Sequence, residues 1–195
     1  MGSGRPVFIT GTNAVGKSAL AWSIIERFGG VDRITNDVTY CKEGSVCLAG
    51  KYGVTRFGGV DRITNDKGSS CTSELARVVE EGLRNADTII CEGSFMNTFG
   101  LNLSNALFKA EKQLIISLYA DNITLWKRLT ERSLGKAGDG KRRFDLIIKK
   151  QRQAMIAARR WQSIGVPVIQ INTSETPVDE VLRLTLEKLS EICSR

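Results

Sequence analysis

The eight residues GTNAVGKS, from Gly11 to Ser18, have the spacing G-x-x-x-x-G-K-[ST] of a loop that binds phosphate. They follow the apolar run PVFIT and precede a helical pattern, which is the strand, loop and helix order that this chemistry needs. Backbone N–H groups and the helix N-terminus would surround a β-phosphate. We expect Lys17 to reach the β- and γ-phosphates and Ser18 to ligate Mg²⁺. The predicted cradle comprises Gly11, Thr12, Asn13, Ala14, Val15, Gly16, Lys17 and Ser18.

If the γ-phosphate is transferred to a hydroxyl group, that acceptor needs a base to take its proton. The chain contains no histidine, so the base must be Asp, Glu, Lys, Tyr or Cys. We expect a carboxylate at the end of the strand next to the first strand, about one helix, one turn and one strand after the lysine. Asp37 fits this distance, 20 residues after Lys17 (37 − 17), whereas Asp66 lies 49 residues after it (66 − 17). Asp37 is therefore the predicted base. Its alternative role is a turn acid or a helix cap.

Glu92 ends the apolar run IICE and is the candidate for a carboxylate that acts on Mg²⁺ or its waters. The predicted metal-binding set is Ser18, Asp37 and Glu92. A plain strand-end carboxylate is the alternative for Glu92. A GTPase would need an N-K-x-D guanine motif, and the nearest string, TNDK at 64–67, has the wrong order.

Basic residues follow in the second half of the chain. Arg128 and Arg132 lie four apart on one predicted helix and are expected to act in catalysis. The glycine-rich segment 133–144 is the predicted lid, in which Arg142 and Arg143 would bind the nucleotide. Lys136 and Lys141 add to its positive charge. A solvated basic face is the alternative interpretation.

The stretch RFGGVDRITND occurs twice without change, at 27–37 and at 56–66. Two units are too few for a stacked-repeat fold, and eleven identical residues do not recur by chance. A recent local duplication and an error in the sequence are both open as its origin. Because the flanks differ, we expect the first copy to form a helix end and a strand, and the second to form a loop.

The order of predicted elements is strand, helix and then further strand–helix alternation, with a turn-rich region at 38–71. This order predicts an α/β fold with a parallel sheet that is covered by helices on both faces. A length of 195 residues favours one domain, 1–195. We interpret 38–71 as a substrate-binding insertion.

The formal charge of +7 favours an anionic partner such as a nucleotide or nucleic acid, although an inert basic surface is an equal alternative. Five cysteines without a C-x-x-C pair predict neither a disulfide framework nor a structural metal. No apolar run is long enough to cross a membrane. We expect a cytoplasmic protein, or one of the host cytoplasm if a phage encodes it.

GTNAVGKS with Asp37, the YADNITLWKRLTER segment and the final PVIQINTSETPVDEVL together resemble the P-loop nucleotide and hydroxyl kinases. That group includes nucleoside monophosphate, shikimate and polynucleotide 5′-hydroxyl kinases. The resemblance covers nearly the whole chain except 38–71. It implies a three-layer sandwich with a basic lid, and a kinase that uses ATP and Mg²⁺.

The segment AGKYGVTRFGGVD, 49–61, is similar to the glycine-rich substrate loop of phage 5-hydroxymethyluracil DNA kinases. This likeness implies a DNA substrate whose 5-hydroxymethyl group accepts the phosphate. The residues that it places near the acceptor are Lys51, Tyr52, Arg56 and Asp61. A kinase of free nucleosides, nucleotides or another small metabolite is the alternative, and so is a regulator that binds ATP without transferring phosphate.

The sequence generates a first prediction. Lys17→Ala removes the charge that follows the γ-phosphoryl group through the transition state, so phosphate transfer should fall at least about 100-fold. Turnover is measured with γ-labelled ATP. Transfer at the unmodified rate would contradict the phosphate-cradle interpretation.

Overall fold

The structure is a computed structural model that describes residues 4–53, 59–61, 63, 71–94, 112–133 and 140–193. Seven strands are β1 Arg5–Thr10, β2 Val31–Thr35, β3 Val38–Cys41, β4 Val46–Ala49, β5 Thr88–Glu92, β6 Leu114–Tyr119 and β7 Val168–Asn172. The helices are α1 Lys17–Arg27, α2 Cys71–Asn85, α3 Asn122–Ser133, α4 Gly140–Ser163 and α5 Val178–Cys193.

The strands form one sheet in the order β2-β3-β4-β5-β1-β6-β7. The five strands from β4 to β7 pair in parallel, whereas β3 is antiparallel to both β2 and β4. The α/β prediction is confirmed, but the sheet is only mostly parallel. The region predicted as turns contributes β3 and β4, because Val38–Cys41 and Val46–Ala49 are short, buried strands with almost no polar alternation.

The side chains of β1 alternate between two hydrophobic cores, one on each face of the sheet. Val7 and Ile9 join the core that α1, α3 and α5 cover. Phe8 joins the core that α2 covers. The helix α4 serves both cores, since its Ile147 lies in the first and its Trp161 in the second. Helices on both faces give the three-layer sandwich that the sequence predicted.

Local signals in the sequence explain where α3 and α4 begin. The Oδ1 of Asp121 accepts a hydrogen bond of 2.7 Å from the Thr124 backbone N–H, which caps α3. The helix α4 begins at Gly140, so its first turns occupy the last part of the predicted lid, 133–144. The remaining lid residues 134–139 lie outside the described residues.

The two copies of the repeat have different conformations, as predicted. In the first copy, Gly29 and Gly30 have φ of 77° and 87° and end α1, and Val31–Thr35 forms β2. In the second copy, Val60, Asp61 and Ile63 are helical, whereas a loop was expected. The β3 strand provides the first copy with a pairing partner, and the second copy packs on the end of β5. Tertiary contacts therefore decide the conformation of one and the same sequence.

None of the helices in the described parts of the chain combines enough length with enough apolar surface to cross a membrane.

The fold generates a prediction about the first copy. Gly30→Ala should lower the free energy of unfolding by about 1–2 kcal/mol, because φ is positive there and a left-handed backbone is unfavourable for alanine. A Cβ at position 30 meets no atom within 4 Å, so strain and not a clash is tested. Gly30→Asn is the matched control. It should recover part of the loss, since Asn tolerates this conformation better. Urea unfolding measures both variants, and equal stability of Gly30→Ala and the parent would contradict the assigned φ.

Candidate functional site

The segment from Gly11 to Ser18 forms a tight loop between β1 and α1. Gly11 has φ of 137°, and a Cβ there would lie 2.4 Å from the Leu118 carbonyl oxygen, so only glycine fits. Ala14 and Gly16 also have positive φ, of 68° and 94°. No side chain caps the N-terminus of α1 at Gly16. The N–H groups of this helix end can therefore bind an anion.

Lys17 lies beneath this loop and is only 8% exposed. Its ammonium donates a hydrogen bond of 2.8 Å to the Thr12 carbonyl oxygen and one of 3.3 Å to the Ser94 hydroxyl. The Ser94 hydroxyl in turn contacts the Asn13 side-chain oxygen at 2.9 Å. These contacts hold the lysine inside the loop that it is predicted to serve.

Ser18 and Glu92 connect the loop to the neighbouring strand. The Ser18 hydroxyl donates a hydrogen bond of 2.7 Å to Oε1 of Glu92, the last residue of β5. Burial raises the pKa of Glu92, while Lys17 and the Ser18 hydrogen bond act to lower it. The predicted partners of Mg²⁺, Ser18 and Glu92, are thus in direct contact.

Asp61, in the second copy of the repeat, joins the same site. Its Oδ2 accepts a hydrogen bond of 2.9 Å from the Ser94 backbone N–H. Gly59 lies so close to Glu92 that a Cβ on it would come within 2.4 Å of Glu92 Oε2. The short helical segment around Asp61 is therefore seated on the end of β5, next to the phosphate loop.

Four charged groups surround the Lys17 ammonium closely enough to change its pKa. Burial lowers the pKa most, the carboxylates of Glu92 and Asp61 raise it, and the cations Arg132 and Lys150 lower it. The charges of two acids and two further bases thus act on the lysine. A phosphate group entering the loop would meet the buried ammonium of Lys17.

The geometric argument for Asp37 is wrong. It assumed that the second strand lies next to the first, but β5 and β6 flank β1, and β2 is the edge strand. Asp37 lies in the β2–β3 turn, three to four strand spacings from β1, which is about 14–19 Å at about 4.8 Å per spacing. Its carboxylate pairs with Lys51 at 3.1 Å and with Arg77 at 3.5 Å. It is not among the charged groups that shift the pKa of Lys17.

Arg128 and Arg132 lie on α3 as predicted but in different settings. The Arg128 guanidinium donates hydrogen bonds to the Ala14 carbonyl oxygen at 3.2 Å and to the Thr173 carbonyl oxygen at 2.7 Å. It therefore ties the phosphate loop to the loop after β7. Arg132 is exposed, and its charge acts on Lys17.

A cavity of about 270 Å³ opens on the other side of the phosphate loop. Its walls come from α1, β6, α3, α5 and the loop after β7, and both Arg128 and Arg132 line it. Apolar side chains such as Val15, Leu20 and Val181 supply the rest of its surface. An aromatic base attached to a phosphate in the loop would fit the chemistry of this cavity.

The structure places the residues that were predicted to contact the acceptor in different parts of the molecule. Tyr52 is fully buried, and its ring lies edge-on to Trp22 at 5.7 Å. It therefore has no free face for a pyrimidine, which corrects the expectation that it contacts the acceptor. Lys51 is bound to Asp37 at the far rim. Asp61 alone of these residues is placed at the phosphate loop, while Arg56 lies outside the described residues, as does Asp66.

The predicted lid residues are described only in part. Arg143 is exposed near the start of α4. Lys136 and the side chains of Lys141 and Arg142 lie outside what the structure describes. Their nucleotide-binding roles stay predictions.

Sequence reasoning missed two residues of the site. Ser94 follows the run IICEG by one position, and a polar residue just after a buried strand was a usable signal. Lys150 lies in the middle of α4 and had no signal, because nothing in its spacing shows that α4 passes the loop. The contact is made by the Thr12 hydroxyl, which donates to the Ile147 carbonyl oxygen at 3.0 Å.

No family model matches the sequence, and no curated protein matches it. Solved structures do match. YorR of Bacillus subtilis, in complex with phosphorylated GDP, has a TM-score of 0.59 and 13% identity, over 97% of this chain and 98% of its own. Shikimate kinase of Bacteroides thetaiotaomicron has a TM-score of 0.57 and 15% identity, over 95% of this chain and 98% of its own. Deoxyadenosine kinase of M. mycoides with bound dCTP has a TM-score of 0.50 and 13% identity, over 95% of this chain and 99% of its own. The chain therefore has the fold that these three structures share.

Proposed function

We propose that this protein is a phosphotransferase that moves the γ-phosphate of ATP to a hydroxyl group. The observation that carries the proposal is the meeting of Lys17, the Ser18–Glu92 pair and Asp61 at the carboxyl ends of β1 and β5. Phosphoryl transfer needs positioning and charge more than covalent chemistry, and these groups provide both. The fold shared with kinases adds support.

The oxygen atoms at the loop fit Mg²⁺. This ion is usually held by one or two protein oxygens together with phosphates and waters, and Ser18 with Glu92 offers such a pair, 2.7 Å apart. Bound with the nucleotide, Mg²⁺ would neutralise charge that builds up on the phosphate oxygens. The raised pKa of Glu92 reflects a buried carboxylate that a cation would stabilise in its charged form.

Asp61 is the residue that we assign as the base. In the reaction, the acceptor oxygen forms a bond to the γ-phosphorus, and the bond from that phosphorus to the β–γ bridging oxygen breaks. The acceptor proton passes to the Asp61 carboxylate, which the Ser94 N–H holds beside the loop. Lys17 and Arg132 supply positive charge to the moving phosphoryl group.

The nucleotide base would lie in the cavity between α1 and α5. Arg128 shapes this cavity through its hydrogen bonds to Ala14 and Thr173. We also keep Arg142 and Arg143 as nucleotide-binding residues of a lid at 133–144. The basic composition of that segment supports the role, since charge on the phosphates must be matched when water is excluded.

For the acceptor, the finer proposal is the 5-hydroxymethyl group of 5-hydroxymethyluracil in phage DNA. It is supported by the likeness of 49–61 to the substrate loop of such kinases, and by the position of Asp61 at the phosphate loop. The second candidate acceptor is a free nucleoside, nucleotide or other small metabolite. The shared fold with shikimate and deoxyadenosine kinases favours this candidate.

The acceptor is identified by label transfer. We expect γ-labelled ATP to label hydroxymethyluracil-containing DNA, and to label neither normal DNA with free 5′-hydroxyls nor free nucleosides. Lys17→Ala serves as the inactive control. Transfer to free nucleosides would establish the second candidate, and an absence of product with every acceptor, including small metabolites, would indicate a regulator that only binds ATP.

The repeat provides a matched test of the base. Asp61→Asn should lower transfer at least about 100-fold while ATP still binds, because the lost group acts on the acceptor. Asp32→Asn is the control, since Asp32 has the same sequence neighbours in the first copy but lies exposed on the edge strand. It should retain activity. Loss of transfer with Asp37→Asn and not with Asp61→Asn would restore the assignment made from sequence spacing.

A further inference from the structure

The helix α4 carries the positive charge of the whole protein. Its 24 residues include eight lysine and arginine residues against one aspartate, a formal charge of +7, which equals the formal charge of the entire chain. The remainder of the sequence is therefore neutral overall. No acidic residue lies in the first turn of α4 to balance its basic residues. Basic residues near a helix N-terminus oppose the helix dipole, so folding does not explain them.

Four exposed basic residues of α4 have, among the described residues, none of the ion pairs that α2 and α5 form. On α2 and α5, basic residues pair with acids three or four positions away, as in Arg77–Glu74, Arg84–Glu81, Arg183–Glu180, Arg183–Glu187 and Lys188–Glu191. Within the described residues, no acid pairs with Lys149, Arg152, Arg159 or Arg160. These four cations are exposed and available to an external anion.

These cations share one face of the helix. Ile147, Ala154, Ala158 and Trp161 are buried and mark the inward side of α4. Lys149, Arg152, Arg159 and Arg160 lie on the opposite side, around the exposed Ile156. At about 1.5 Å per residue, Lys149 and Arg160 are about 17 Å apart along the axis. That length covers several phosphates, which repeat about every 3.4 Å along the axis of one strand of a duplex and more widely along an extended single strand.

We propose that this outward face of α4 binds the phosphate backbone of a single-stranded nucleic acid. Exposed aromatic and apolar surface, of the kind that single-strand binding uses, lies near the start of α4. Trp126 of α3 is about half exposed, and its ring contacts Phe144 of α4 at 5.1 Å. Ile123, one turn earlier on α3, is 83% exposed. Unstacked bases can lie on such groups, whereas the bases of a duplex cannot.

A membrane surface fits this face less well. A helix that lies on a bilayer buries its apolar side in the lipid, but the apolar side of α4 is buried in the protein core. Nucleic acid needs only the exposed cations.

The inference deepens the proposed function, on which its catalytic meaning rests, because it names the surface that would hold a polynucleotide acceptor. The inward side of α4 contacts the phosphate loop through Thr12 and Ile147, and its Lys150 acts on Lys17. A strand held on the outward side of α4 is thus one helix diameter, about 10 Å, from the phosphate loop. One nucleotide of that strand could turn into the site while its neighbours stay on the helix.

Binding is tested without turnover, so the result is independent of kinase activity. Fluorescence anisotropy follows a labelled 20-nucleotide single strand as salt is added, with the full chain and no ATP. The test variant is Lys149→Gln/Arg152→Gln/Arg160→Gln. The control variant, Arg84→Gln/Arg183→Gln/Lys188→Gln, removes three helical cations that form ion pairs and changes the net charge by the same amount. Circular dichroism checks the folding of both, and single substitutions replace the triple if it unfolds.

We expect the parent and the control variant to bind the single strand tightly. In the test variant, the slope of log affinity against log salt concentration should be smaller by about two units, because each lost phosphate contact reduces the slope by about 0.7. Trp126→Ala should weaken binding roughly 10-fold. Equal slopes in test and control variants would overturn the proposal, as would tighter binding of a duplex or of anionic vesicles than of the single strand. Normal binding together with no phosphate transfer would sustain this inference and reject the proposed function.

Discussion

The parallel pairing of β1 with β5 is the constraint on which the site depends. The register aligns Ile9 with Glu92, so the strand that leads into the phosphate loop ends beside the strand that carries the acid. The hydrogen bond from Ser18 to Glu92 forms because of this alignment. The helical segment of the second repeat copy then packs on the end of β5, and Asp61 arrives with it. A sheet with another strand between β1 and β5 would separate all of these groups.

Burial disfavours the charged forms of the two central side chains of the site, Lys17 and Glu92. Lys17 and Glu92 are both almost fully buried. Burial lowers the pKa of Lys17 and raises the pKa of Glu92, so it favours the neutral form of each side chain. Their mutual attraction offsets part of this effect, and the fixed hydrogen bonds to Thr12, Ser94 and Ser18 offset more. A nucleotide with its metal ion would bring the opposite charges that each group lacks. Buried charges with incomplete compensation are typical of functional sites, where structure is organised for a ligand and not for stability alone.

The repeated segment shows how weakly eleven residues determine their own conformation. Gly30 and Gly59 hold equivalent places in the two copies, yet one has a left-handed backbone in a turn and the other packs against Glu92. Asp32 is exposed on an edge strand, whereas Asp61 is held beside the phosphate loop. The same side chains thus have a structural setting in one place and a chemical setting in the other, because their neighbours in space differ.

The sequence by itself determined the phosphate loop, the main helices, the α/β class and the place of Glu92 at the end of a strand, because these depend on local spacing: glycines before a helix, apolar periodicity and a strand-end acid. Tertiary structure alone decided which carboxylate lies by the loop. Distance along the chain favoured Asp37, but an antiparallel hairpin of β2 and β3 carries it to the sheet edge, and Asp61 takes its place. It also decided the burial of Tyr52 and the approach of Lys150. Strand order and long-range packing set these features, and neither is encoded in local spacing.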